Sequence, residues 1–168
     1  MRALSDFLWH ERDLLEVLLH RLETERALVE TGRTSRLPLA GREVEAALEQ
    51  LRQADLARAA ESAAATQVLG LPGTATLRAV AELAPMPWGE IFREHHTAMR
   101  ELVDSIVRLG DDKRPAAADV GAAGMETFAD ADAGLTDAVI ELELERLGRQ
   151  AADSRSGVLP QELLAFLA

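Results

Sequence analysis

LSDFLWHERDLLEVLLHRLETERALVET, residues 4–31, contains neither Pro nor Gly, and Leu8, Leu15, Leu22 and Val29 recur in it every seven residues, with Leu4 and Leu18 at the half-steps. An apolar recurrence of that period keeps one face of an α-helix buried along its whole length. Leu14 and Leu19 widen the stripe beyond the narrow seam of a two-stranded coiled coil, so the pattern predicts a helix packed against two neighbours. At about 1.5 Å per residue such a helix spans roughly 40 Å. Ser5 or Asp6 is placed to cap its first turn by accepting from free amides, and Gly32 to end it.

Working outward, residues 32–41 with Pro38 inside them read as a connecting turn. Val44, Leu48, Leu51 and Leu69 then mark a second helix, which Gly70 and Pro72 stop. Its second half, residues 54–65, is mostly Ala, which permits close approach of backbones but buries little area per residue. Thr74 can cap a short helix carrying Leu77, Val80 and Leu83, and Pro85-Met86-Pro87 breaks the chain before the next start. From Trp88 to Leu109 the spacing is helical again, and Gly110 is read as its stop.

Residues 110–134 are rich in Ala, Gly and Asp and read as a flexible linker. Residues 135–168 form an acidic C-terminal segment. In it, residues 140–145 alternate apolar and acidic side chains at a strand period, yet Leu and Glu are good helix formers, and helix is the expectation. In the last ten residues Pro160 marks a helix start, followed by the large apolar side chains of Leu163, Leu164, Phe166 and Leu167, which should dock somewhere. The expected fold is all-α: an elongated antiparallel, coiled-coil-like bundle over residues 1–109, a linker, and short C-terminal helices.

Eighteen basic and twenty-nine acidic residues give a net charge of −11, which disfavours nucleic acid and anionic membranes as partners. The acidic excess is concentrated after residue 109, where 5 basic residues face 12 acidic ones. Charged residues at positions 11 and 12 cut short any secretory leader, and no stretch approaches the roughly 18 apolar residues of a membrane span. The cytoplasm is the expected compartment. With no Cys, disulfides and thiolate chemistry are excluded.

Reactive constellations are equally scarce. His10-Glu11-Arg12-Asp13-Leu14 opens like a zinc-protease motif, but the second His that should share its helical face is Leu14. Adjacent His95 and His96 point about 100° apart on a helix, so they read as a partly buried His95 and an exposed His96 and not as a chelate. No Glu stands three residues before a His, as a di-iron bundle requires. Gly-x-Ser-x-Gly, phosphate-loop and dinucleotide fingerprints are all missing. The expectation is a protein without enzymatic activity, metal or cofactor.

Surface for partners remains. Trp88, Phe92, Met99, Leu102, Ile106 and Leu109 form a stripe with a rigid aromatic end and a flexible Met, suited to accepting an amphipathic helix of a protein client. The alternative is a self-associating scaffold or adaptor in which the Leu8, Leu15, Leu22, Val29 seam pairs two chains as a homodimer.

The arrangement also resembles the FlgN family of flagellar export chaperones. The likeness is carried by Leu4-Ser5-Asp6-Phe7-Leu8-Trp9-His10-Glu11-Arg12-Asp13-Leu14-Leu15-Glu16, by Thr31-Gly32-Arg33, and by the order of elements up to residue 109, including Gly70-Leu71-Pro72 and a helix opening at Trp88. The resemblance implies a cytoplasmic helical chaperone that keeps C-terminal segments of hook–filament junction proteins soluble and delivers them to the type III export machinery. It also implies a last helix that continues into the substrate-binding region, a helix that Gly110, Pro115, Gly121 and Gly124 are expected to interrupt here.

Overall fold

The computed structural model describes residues 1–123 and 159–168. All regular structure among them is helical: α1 (Arg2–Glu30), a 3-10 turn (Thr34–Arg36), α2 (Leu37–Leu69), α3 (Leu77–Leu83), α4 (Trp88–Ala123) and α5 (Gln161–Phe166). The alternating stretch at 140–145, and with it the helix expected there, lies outside the described residues.

Helix ends follow local chemistry, with some shifts from expectation. Gly32 and Gly70 close α1 and α2 with φ of 66° and 69°, values that glycine adopts without steric cost. In each case the following residue reaches back five positions, Arg33 N–H to Leu28 O at 2.9 Å and Leu71 N–H to Thr66 O at 2.9 Å, so two open helix carbonyls are satisfied. At the other end of α1, neither Ser5 nor Asp6 caps. Met1 takes the cap position without a side-chain bond, and Ser5 lies buried inside the first turn. Burial of Leu4 draws that extra turn into the bundle and outweighs a cap of about 1 kcal/mol.

The connecting turn is shorter than residues 32–41, because α2 begins at Leu37 with Pro38 in its first turn, where a missing amide is harmless and the fixed φ suits the helix. Thr76, not Thr74, caps α3, its hydroxyl accepting from Ala79 N–H at 3.3 Å. Gly110 does not stop α4. Unlike Gly32 and Gly70 it has no positive φ, and an interior helical glycine costs only about 1 kcal/mol against the good helix formers at 116–118. The part of the expected linker over residues 110–123 is therefore helical.

α1 is the central rod. Glu11 meets Arg58 and Arg21 meets Glu43, each at 2.9 Å, an order that makes α1 and α2 antiparallel. Ser5 meets His95, and Arg12 and Glu16 share a depression with Ala98, Leu102 and Ser105, so α4 runs parallel to α1. α2 and α4 both lean on α1, whereas they make little contact with each other. α3 packs on α4 at a tight corner: a Cβ at Gly89 would stand 2.8 Å from Ala81 O.

Leu4, Leu8, Leu15, Leu18 and Leu22 carry the core along α1, each burial contributing about 1.5–3 kcal/mol. The seven-residue seam ends before Val29, which is 47% exposed. Leu159, Leu163, Phe166 and Leu167 join the same continuous apolar cluster, so the last ten residues dock as expected.

Candidate client-binding surface

α4 carries the predicted stripe, and the fold divides it. Phe92, Met99 and Ile106 are buried and form an inner row that belongs to the core, while Trp88, Leu102 and Leu109 are half-buried and form an outer row. Helical geometry places Leu102 and Leu109 roughly 40–60° around the axis from Trp88, on the flank away from Phe92. Trp88 and Phe92 bridge the rows, their rings stacked with centroids 6.1 Å apart.

The other flank of α4 faces a cleft. Its floor is α1, and its walls are α2 and α4. The α5 segment lies across it. Leu167 O accepts from His96 Nε2 at 3.0 Å and from Arg100 Nη1 at 3.5 Å, both on α4. Since a carbonyl only accepts, His96 Nε2 carries the proton. The Arg100 cation at the end of α5 also complements the negative end of its dipole. On the α2 side, the Arg58 guanidinium stands 4.0 Å from the Phe166 ring centroid, a cation–π contact shielded from water. His96 is thus half-buried and engaged, where the sequence suggested full exposure.

Beneath Phe166 lies an ion cluster that the sequence reading missed. Arg58 donates through Nε to Glu11 Oε1 at 2.9 Å and through Nη2 to Asp55 Oδ1. Glu11 Oε2 has no partner. Burial pushes the Glu11 carboxyl up to about 7, a rise that Arg58 opposes and Asp55 reinforces. The signal was present: Glu11 occupies the seven-residue step between Leu4 and Leu18, and Arg58 lies four positions after Ala54 on the inner face of α2. Desolvation offsets much of the Coulomb gain of such a cluster, so it adds little net stability, whereas removing one partner leaves a buried charge uncompensated.

His95 sits on the inner side of α4, with Ser5 Oγ 3.5 Å from Nε2 and the Trp9 ring edge-on at 4.8 Å. Burial first, and then the Arg12 guanidinium, hold its pKa below the usual imidazole value. Two open surface depressions lie between α1 and α4, lined by residues such as Arg12, Glu94 and Glu101. Among the described residues no group of three or more His, Asp or Glu could hold a metal ion, and no helix is long and apolar enough to cross a membrane.

Comparison with curated proteins and with solved structures finds no match. The family model described as FlgN protein matches residues 1–113, which take in α1, α2, α3 and α4 up to that point, and leaves α5 outside. With two thirds of the chain matched, and with the central rod, its two flanking helices and the α3 corner all inside the match, the chain belongs to the FlgN family of flagellar export chaperones.

Proposed function

We propose that this protein is a cytoplasmic export chaperone that captures an amphipathic helix from the C-terminal segment of a hook–filament junction protein and holds it soluble for the type III export machinery. The observation that carries the reading is the family match over residues 1–113, joined to a long helix that brings Trp88, Leu102 and Leu109 to the surface in one row. A client helix laid along α4 would bury this row and draw on Met99 beneath it, where a flexible thioether tolerates different side chains. Trp88, Phe92, Met99, Leu102, Ile106 and Leu109 are the proposed contact set. Leu8, Leu15 and Leu22 are spent inside the chain, which speaks against a homodimer along that seam.

Calorimetry with a C-terminal fragment of a hook–filament junction protein tests this. Leu102→Asp with Leu109→Asp should weaken binding at least tenfold while helix content stays unchanged, because both positions are only half-buried. Unaltered affinity would remove this face of α4, and no binding by the unmodified protein would remove the proposed client.

A further inference from the structure

The cleft between α2 and α4 is filled by a segment that the family framework does not include. The match ends at residue 113, yet Leu159, Leu163, Phe166 and Leu167 complete the apolar cluster of the bundle. We infer that residues 159–168 are a built-in stand-in for the client, an amphipathic helix seated in the client's own groove, and that binding proceeds by displacing it. This rests on the chaperone reading and adds to it a second place for the client, on the α2 side of α4 opposite the outer row of Trp88, Leu102 and Leu109, and what competes for that place.

Three observations carry the inference. First, the walls cannot close the cleft themselves. Of the buried side chains on the second half of α2, Ala54, Ser62 and Ala65 are short and Arg58 is drawn to Glu11 and Asp55, and α2 and α4 scarcely touch. Large side chains must come from elsewhere, and here α5 brings them.

Second, the seat reads the end of a helix as well as its greasy face. His96 and Arg100 take the carbonyl of Leu167, and Arg58 presents its flat guanidinium to Phe166. The occupant therefore carries large apolar residues at i, i+4, i+7 and i+8, an aromatic at i+7, and free carbonyls at its C-terminal end. Those are features of a protein's amphipathic helix and not of a nucleic acid or small metabolite.

Third, Phe92, Met99 and Ile106 share one apolar cluster with Leu163, Phe166 and Leu167. Leu167 is held by His96 and Arg100, three residues before and one after Met99, so a client in place of α5 lies against the Met99 stretch of the inner row. The seated segment lowers apparent affinity by the fraction of molecules in which it is released.

The test uses the full chain. Leu163→Asp with Phe166→Asp should release α5 while α1–α4 keep their helix content by circular dichroism. A labelled peptide of residues 159–168 should then bind this variant at least tenfold more tightly than the unmodified protein, and a C-terminal fragment of a hook–filament junction protein should displace it. Equal peptide binding by both proteins, or none to the variant, overturns the inference. So does a junction-protein fragment that binds both proteins alike and leaves the peptide in place, a result that keeps the chaperone reading intact. A fragment that binds neither protein defeats the chaperone reading, and the shared groove falls with it.

Discussion

The guanidinium carbon of Arg58 stands 4.0 Å from the centroid of Phe166, so one buried cation ties the second helix to a segment more than a hundred residues further along the chain. Phe166→Ala should therefore loosen the whole of α5. The expected cost is roughly 3 kcal/mol from lost burial and lost cation–π attraction. Hydrogen exchange of the α5 amides should accelerate while the amides of α1 stay protected. Uniform acceleration in both would mean that α5 is not a separately docked unit.

Leu15 and Val29 occupy the same seven-residue seam with opposite fates. Leu15 has no exposed surface, and Leu15→Ala should cost about 2–5 kcal/mol in denaturant unfolding. Val29→Ala, at an exposed site, should change stability by less than about 0.5 kcal/mol. Both effects should be independent of protein concentration, because the seam is satisfied within one chain.

Two glycines separate by their surroundings. Gly89→Ala places a methyl group against the carbonyls of Ala81 and Ala84, at 2.8 and 3.1 Å, and should destabilise by about 2 kcal/mol through a forced shift of α3 from α4. Gly110→Ala meets nothing within 4 Å on an open helical stretch and should stabilise by about 1 kcal/mol. Thermal unfolding midpoints of the two variants should move in opposite directions.

Glu11 makes stability depend on pH in an unusual sense. Its carboxyl is raised from 4.5 to about 7 in the fold, so the folded state keeps a proton that the unfolded chain has already released. The contribution is complete below pH 4.5 and is lost as pH rises toward 7, by up to about 3 kcal/mol. His95 acts oppositely. Its lowered pKa means that the unfolded chain takes up a proton first, so its contribution is lost as pH falls through 6.5. Glu11→Gln isolates the first effect: relative to the unmodified protein, the variant should gain stability steadily between pH 4.5 and 7. A constant difference across that window would show that Glu11 does not titrate with folding.

Periodicity made most of the framework legible. The α1 leucines, the glycine at the end of α2 and the restart at Trp88 follow from chemistry local to each element. Gly110 misled because glycine ends a helix only where the backbone needs a positive φ, a requirement visible in space and not in sequence. Glu11 and Arg58 lie 47 positions apart. No single-helix pattern pairs them, although each sits on an inward step of its own helix. The α4 stripe was legible as apolar, but its division depended on the positions of α1 and α3. That is why Phe92 and Met99 proved to be core while Leu102 reaches the surface.

Because α2 and α4 each rest on α1 and hardly on each other, α1 works as a keel with an outrigger on either side. No direct interlock fixes the span between the outriggers, which is set by how each seats on the keel and by the segment lodged between them. On the proposed reading, that arrangement suits guests of different girth in one hull, a tolerance that a bundle with every pair of helices interlocked would lack.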